Sequence, residues 1–374
     1  YPRLELAARY TRVSDFQLPS ELRMFGFINQ LNQGLFQARL SWPVSSIFLT
    51  LLPRHKAAML AAEAQRIQSR VERQTVALRT REAYYNYARA RAARMVAVAA
   101  LAQAEGHRRD SDALVNAGSI ARVELMRADA QVAAAKVTVA RADFSVQQAR
   151  VAFNTLVHVD GVEDITVSED LEADVPAPVE DENGLLKKAL ERRSEILAIR
   201  KLSESQQNSL KAVKGAYLPV IAIGGSAEEA NPNQRIFGSF NEWRGTWAAQ
   251  ASLVWSPNDA FSANTQVDQA QADLAQTMAD LGTLTDSLRV EVSQAYNGYA
   301  SAHAQLDAAR AGIAAAEESY RVRREQFRAG AAIAVDVLDA EAQLRQARLD
   351  LVNALIDTRI AKARVDRAVE VATY

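Results

Sequence analysis

A chain of 374 residues with 44 Lys and Arg against 45 Asp and Glu carries a net charge of −1, so it has no bulk electrostatic reason to bind nucleic acid. It has no cysteine, which excludes disulfides and thiolate metal sites and is consistent with an oxidising compartment. With 15 glycines, 9 prolines, 7% aromatics and abundant alanine, the composition points away from several compact domains and toward long, closely packed helices.

The first 50 residues read as a β-hairpin. From Tyr1 to Val13 the chain alternates, with Leu4, Leu6, Ala8 and Tyr10 on one face and Arg3, Glu5, Arg9 and Thr11 on the other. A loop with Pro19, Gly26 and Gly34 follows. A second strand spans Leu35 to Trp42, with Phe36, Ala38, Leu40 and Trp42 opposite Gln37, Arg39 and Ser41. Residues 51–157 form a helical hairpin with its tip near Gly118: a long helix over Pro53 to Ala117, then a return helix over Arg122 to Val157. Glycine is favoured just past a helix C-terminus, where φ turns positive. Residues 158–183 are acidic, contain Pro176 and Pro178, and are predicted to be an irregular linker at mid-height. A further helix is predicted over 184–215.

The second half repeats this plan. A β-hairpin spans 216–257, with one strand from Pro219 to Ser226 and another from Trp243 to Trp255. In the latter, Trp247, Ala249, Ala251, Leu253 and Trp255 oppose Arg244, Thr246, Gln250 and Ser252. Pro257 behind Ser256 is a helix-start signal. A second helical hairpin then covers 258–370, with its tip near Gly330. A helix of about 70 residues is about 105 Å long at 1.5 Å per residue, and it must pack along its length to exist in water. The spacing of Leu338, Leu344, Leu351 and Leu355 suits coiled-coil packing.

The repeat is a duplication. A shift of 212 positions places Tyr84 on Tyr296, Tyr87 on Tyr299, Arg109 on Arg321, Gly118 on Gly330, Ala128 on Ala340 and Val157 on Val369. The lengths also predict that about 30 or more residues, a helical counterpart of 184–215, belong before Tyr1 and are missing from this chain.

No run of about 20 apolar residues exists, so no transmembrane helix is predicted, and Tyr1-Pro2-Arg3 is unlike a signal peptide. Strands of about ten residues, apolar on one face and polar on the other, are instead the pattern of a membrane β-barrel. Trp42, Trp243, Trp247 and Trp255 suit its aromatic girdle, in contact with outer-membrane lipid. Four strands cannot close a barrel, and open edges in lipid leave backbone groups unpaired, so several chains must share one wall. The plainer reading is a soluble sheet packed on helices.

This layout resembles the TolC-type outer-membrane efflux proteins of Gram-negative bacteria. The most specific stretch is Gly330-Ala331-Ala332-Ile333-Ala334-Val335-Asp336-Val337-Leu338-Asp339-Ala340, which is similar to the family's second periplasmic tip. Its counterpart runs from Gly118-Ser119-Ile120 through Arg122 and Glu124 to Ala128, and Ala295-Tyr296 and Ala83-Tyr84 echo the family's lead-in. The resemblance implies a fold that is mainly α with membrane β. Duplicated β-hairpins and antiparallel coiled-coil helical hairpins would assemble as a homotrimer with a 12-strand β-barrel and a 12-helix α-barrel. It implies a passive exit duct of a tripartite efflux pump or type I secretion system, in the outer membrane with a periplasmic extension. The duct would be joined by a periplasmic adaptor (membrane fusion) protein to an inner-membrane pump.

By the same resemblance, Asp336, Asp339 and Glu124 line an acidic ring at the periplasmic entrance. Asp336 and Asp339 are three apart and share a helix face; as ordinary helix-start acids they would simply be solvated. The family's gate lock of a tyrosine and an arginine is replaced here by Phe327 and Ala332. Arg122, Arg127, Arg324 and Arg328 are nearby substitutes or else a solvated basic tip. Gly118, Ser119, Gly330 and Ala331 match the tips gripped by adaptors, and the glycines also serve as caps. His55, His107, His158 and His303 show no ligand spacing, no phosphate loop occurs, and no nucleophile, base and pocket come together, so neither a cofactor nor an enzyme is predicted. The competing reading is a soluble periplasmic adaptor or coiled-coil scaffold protein, which would have one helical hairpin flanked by compact β-domains.

Overall fold

The structure, a computed structural model, describes residues 2–15, 24, 30–159, 166–237 and 241–370. The loop expected around Pro19 and Gly26 and part of the linker at 158–183 lie outside them. The chain forms two compact units, Tyr1–Gln65 with Ala198–Leu281, and Arg66–Leu197 with Gly282–Tyr374.

The first unit carries a four-stranded antiparallel sheet in the order β1-β2-β3-β4. Its strands are β1 (Arg3–Arg12), β2 (Asn32–Trp42), β3 (Val220–Asn231) and β4 (Arg244–Val254). Both β2 and β3 are longer than the alternation alone suggests. Their extra residues pair with each other and with β1, as in Tyr10 opposite Gly34 and Gly34 opposite Asn231. The added length of β3 includes Glu228 and Glu229, whose adjacent charges break the alternating pattern. Glu228 is matched by Arg235 at 3.0 Å.

Beyond β2 one helical turn (Val44–Ser46) and a π-helical turn (Ile47–Leu51) lead into the helix α1 (Leu52–Asn116). Gly215 packs on this π turn. A Cβ there would stand 2.6 Å from the Leu49 carbonyl oxygen, so only glycine fits. Small side chains make the helix contacts close: the Ser205 hydroxyl donates to the Ala57 carbonyl at 2.8 Å, with Ala57, Ala64 and Ala212 buried.

The second unit is helical. The return helix α2 spans Arg122–Val157. The helix expected over 184–215 is two helices, α3 (Glu182–Arg192) and α4 (Ser194–Lys214), separated at Arg193. Two more, α5 (Pro257–Arg328) and α6 (Ala334–Ala368), form the second hairpin. The rest of α1, from Arg66 on, and of α5, from Gly282 on, also belong to this unit. Leu185 and Ala189 of α3 pack with Val292 and Tyr299 of α5 and with Val365 and Ala368 of α6. The described part of the linker is anchored: Arg359 donates to Glu169 at 3.1 Å and to the carbonyls of Asp170 and Ala173 at 2.7 and 3.0 Å. Tyr299 donates to the Val175 carbonyl at 3.0 Å.

The break at Arg193 has a tertiary cause. Its guanidinium is buried and donates to both oxygens of Glu195 and of Glu291 and to the carbonyls of Arg367 and Ala368. Beside it Ser194 donates to Glu370, which also accepts from Gln74 at 2.7 Å.

Candidate functional site

The two helical tips lie in the second unit, and they are built alike. After α1, the Gly118 amide donates to the Val115 carbonyl and the Ser119 amide to that of Leu114, both at 2.9 Å. After α5, Gly330 donates to Phe327 at 3.0 Å and Ala331 to Gln326 at 2.8 Å. This is the Schellman pattern, and it needs a residue with positive φ. Gly118 has φ 70° and Gly330 has φ 74°. A side chain at either would meet nothing within 4 Å. Gly118, Ser119, Gly330 and Ala331 are all exposed, so each turn presents bare backbone.

The tips pack on each other through an apolar seam. Phe327, Ala334 and Val337 are buried, with Leu114, Ile120, Tyr320 and Ala332 against them. Phe327 also lies 5.0 Å, ring to ring, from His107. The phenylalanine at the expected lock position is therefore core, and Ala332 is small enough to close the seam over it. Charge joins the same helices at another place. Arg328 Nε donates to Asp110 at 3.0 Å and Arg324 reaches the same carboxylate at 3.4 Å, tying α5 to α1. Arg122 is exposed on the first turn of α2.

Asp336 is half-buried and Asp339 exposed on the first turns of α6, and among the described residues neither is held in an ion pair. Glu124 differs: it accepts from Arg127 at 2.9 Å, and its second oxygen is buried without a partner among the described residues.

Sequence reasoning missed two buried titratable groups here. Glu341 lies in the buried stripe of α6 made by Ala334, Val337, Ala340 and Leu344. Burial pushes its carboxyl up to about 7, against the charges of Arg324 and Arg345 and a hydrogen bond with Tyr320. The signal was a charged residue standing at an apolar position of a helical stripe. Burial also lowers the His107 imidazole, and the charge of Arg324 adds to this, against Asp110 and Glu124. Among the described residues, no group of three or more His, Cys, Asp or Glu is placed to hold a metal ion.

In the first unit the sheet register sorts the side chains. Leu6, Ala38, Ala227 and Trp247 form one row across the four strands, and Leu4, Leu40, Gly225 and Ala249 the next. Trp42, Ile223 and Ala251 continue the same face, as do Ile221 and Leu253. The intervening rows carry the polar set, such as Glu5, Arg39, Ser226 and Ala248. The apolar side chains on this face are uncovered: Leu6 is 74% exposed and Trp247 80%. Trp243 and Trp255 flank β4 rather than lying in it. Trp243 covers Gly34 and stacks near Phe36 at 5.5 Å, and Trp255 donates to the Tyr217 carbonyl at 3.3 Å. No described helix is long and apolar enough to cross a membrane.

The outer membrane efflux protein family model matches residues 185–369. No curated protein matches the chain in sequence. Among solved structures the chain is similar over 99% of its length to CusC, with 17% identity, a TM-score of 0.81 and 83% of that chain covered. It is similar over 99% of its length to the outer-membrane channel OprN, with 21% identity, a TM-score of 0.77 and 81% of that chain covered. The MtrE outer membrane channel of Neisseria gonorrhoeae, in its open state, gives 20% identity and a TM-score of 0.77 over 99% of this chain and 80% of that one. At such identities the likeness is one of fold. Residues 185–369 thus match the outer membrane efflux protein family, and over nearly its whole length the chain has the fold of the solved outer-membrane channels.

Proposed function

We propose that three copies of this chain form the outer-membrane exit duct of a tripartite efflux pump or type I secretion system in a Gram-negative bacterium. The observation that carries this reading is the sheet: apolar side chains share one uncovered face, and β1 and β4 are edge strands among the described residues. Lipid tolerates neither an open edge nor a four-strand cylinder, and three copies give a closed wall of about 12 strands. An 11-residue strand is about 36 Å long. Tilted by about 40° it covers about 28 Å of height, close to the apolar band of a barrel. The helical hairpins extend into the periplasm, where an adaptor protein joins the duct to an inner-membrane pump. The bare turns Gly118-Ser119 and Gly330-Ala331 are the surface such an adaptor grips.

Asp336 and Asp339, together with Glu124, form the acidic ring of the entrance. Threefold symmetry gathers six aspartates about the axis, and such a ring favours cations. Glu124, bound to Arg127, contributes less. The lock between tips is the Asp110 bridge to Arg324 and Arg328. The scaffold reading fits less well, because it would have one helical hairpin and compact β-domains.

The test is the purified protein in detergent. A trimer by light scattering, giving stepwise conductance in planar bilayers, supports the duct; a lone subunit that stays soluble without detergent sinks it. In the same bilayers Asp336→Asn with Asp339→Asn weakens block by multivalent cations. Unchanged block would remove the acidic ring and leave the duct standing.

A further inference from the structure

The polar face of the sheet is not evenly charged. Its rows place Arg3 with Ser41, Gly224 and Gln250; Glu5 with Arg39, Ser226 and Ala248; Ala7 with Gln37, Glu228 and Thr246; and Arg9 with Leu35, Ala230 and Arg244. Over the four strands this face holds four arginines and two glutamates, a net +2 per chain. Glu228 is already matched by Arg235 at 3.0 Å and Arg244 by Glu242 at 3.1 Å, so these pairs cancel. What remains is Arg3, Arg9 and Arg39 against Glu5. All three arginines are exposed, and among the described residues none is held in an ion pair.

Resting on the three-chain barrel proposed above, we infer that the barrel interior is a basic, anion-preferring lumen. Within the barrel segment, as distinct from the acidic entrance at the helical tips, the solutes it concentrates carry carboxylate, phosphate or sulfonate groups. Closure turns this face inward and triples the excess to about +6 inside a narrow aqueous bore with an apolar wall, where fields are focused rather than dispersed. Guanidinium groups suit such anions because they stay charged at all working pH values and present paired donors to planar oxyanions. In the row Arg9–Leu35–Ala230–Arg244, Arg244 is held by Glu242, so the excess charge of that row is carried by Arg9 on the edge strand β1.

The chain has no cysteine, so a single introduced thiol reports its own surroundings alone. Ala7→Cys lies on the polar face between Glu5 and Arg9, and Ala8→Cys on the apolar face between Leu6 and Tyr10. Trimers in lipid vesicles are treated with anionic sulfonatoethyl and cationic trimethylammonioethyl methanethiosulfonate, and each rate is divided by that of a free thiol. Ala7→Cys reacts and Ala8→Cys, facing lipid, does not. The anionic-to-cationic ratio for Ala7→Cys exceeds that of the free thiol. Adding Arg3→Gln and Arg9→Gln lowers it by about sevenfold, the factor for reagents two charges apart when the local potential falls by about one kT. Any effect of the arginines on the thiol's own ionisation cancels in the ratio. Arg9→Lys, which keeps the charge, holds the ratio where it was. A ratio no higher than the free thiol's, or one unmoved by the two glutamines, overturns the basic lumen while the barrel stands. Equal labelling of Ala7→Cys and Ala8→Cys overturns the barrel and the lumen with it.

Discussion

Replacing Arg193 by alanine removes a guanidinium that makes six hydrogen bonds at the junction of α3 and α4. Breaking a buried ion pair by deleting one partner costs about 3–5 kcal/mol, because the other charge is left uncompensated. Two features moderate the cost here. Glu195 keeps Arg367 at 2.6 Å, and Glu291 is 45% exposed, so water resolvates it. The carbonyls of Arg367 and Ala368 lose a donor outright. The balance places the loss near the lower end, about 3 kcal/mol.

That figure corresponds to local opening about a hundredfold more frequent. Hydrogen exchange on the purified protein in detergent reads it at the start of α4 and the end of α6. The carboxylate variants give a ranking. Glu195→Gln costs nearly as much, since it leaves Arg193 and Arg367 close together, whereas Glu291→Gln costs under about 1 kcal/mol because Glu291 is itself half-exposed and its charge is screened by water. Arg193→Lys falls between, keeping the charge but not the paired donors. Burial opposes the charge on Glu195, yet the hydrogen bond from Arg367 and the charge of Arg193 hold its carboxyl below the ordinary 4.5. Its contribution is therefore present above pH 4.5 and is lost as pH falls through the lowered value. Less than a fivefold change for Arg193→Ala, or equal costs for Glu291→Gln and Glu195→Gln, would refute the reasoning.

Two further predictions concern the tips. Glu341 binds its proton more tightly in the folded chain, with its carboxyl raised from 4.5 to about 7, so tip stability falls as pH rises between those values and the penalty is complete above them. The ceiling is about 3 kcal/mol. Glu341→Gln should increase exchange protection at the start of α6 at pH 8 and change little at pH 5; equal protection of wild type and variant at pH 8 speaks against this. Gly330→Val places a branched Cβ at φ 74° with open space around it, so the cost is backbone strain alone, about 1–2 kcal/mol, and Gly330→Asn costs less. If the bare turn is also the adaptor's grip, Gly330→Asn still lowers adaptor crosslinking; full crosslinking with that variant leaves the glycine only a capping role.

What could be read from the chain follows from how local each signal is. Strand alternation is a two-residue property, so the faces carrying Leu4, Leu6, Phe36 and Leu40 were legible before any pairing was known, and a shift of one residue would have turned them over. The duplication carried more. Shifting the start of α2 at Arg122 by 212 gives Ala334, where α6 starts, and shifting the end of α1 at Asn116 gives Arg328, where α5 ends. Capping by Gly118 and Gly330 is local too, because it depends on one residue's φ and two amides.

The features that escaped are those fixed by partners far away in sequence. Glu191-Arg192-Arg193-Ser194-Glu195 contains nothing that forbids a helix, and the break depends on Glu291 and on carbonyls at the end of α6, about a hundred residues or more along the chain. Phe327 stands where the resemblance places the tyrosine of a gate lock, and its burial could not be read from that position, because its neighbours His107, Leu114 and Ile120 come from the other hairpin. Asp110 escaped for the same reason: its two arginines are over 200 positions away, at 324 and 328, a spacing of four that brings both to one carboxylate. The duplication therefore fixes where the tips turn, while residues that the two halves do not share fix how the tips are held. Val322 stands at the place equivalent to Asp110, and Asp112 and Asn116 at those of Arg324 and Arg328, so the bridge exists once per chain and joins unlike partners. A device that opens or locks the tips must be sought among such unmatched positions, because residues common to both halves build the hairpins themselves.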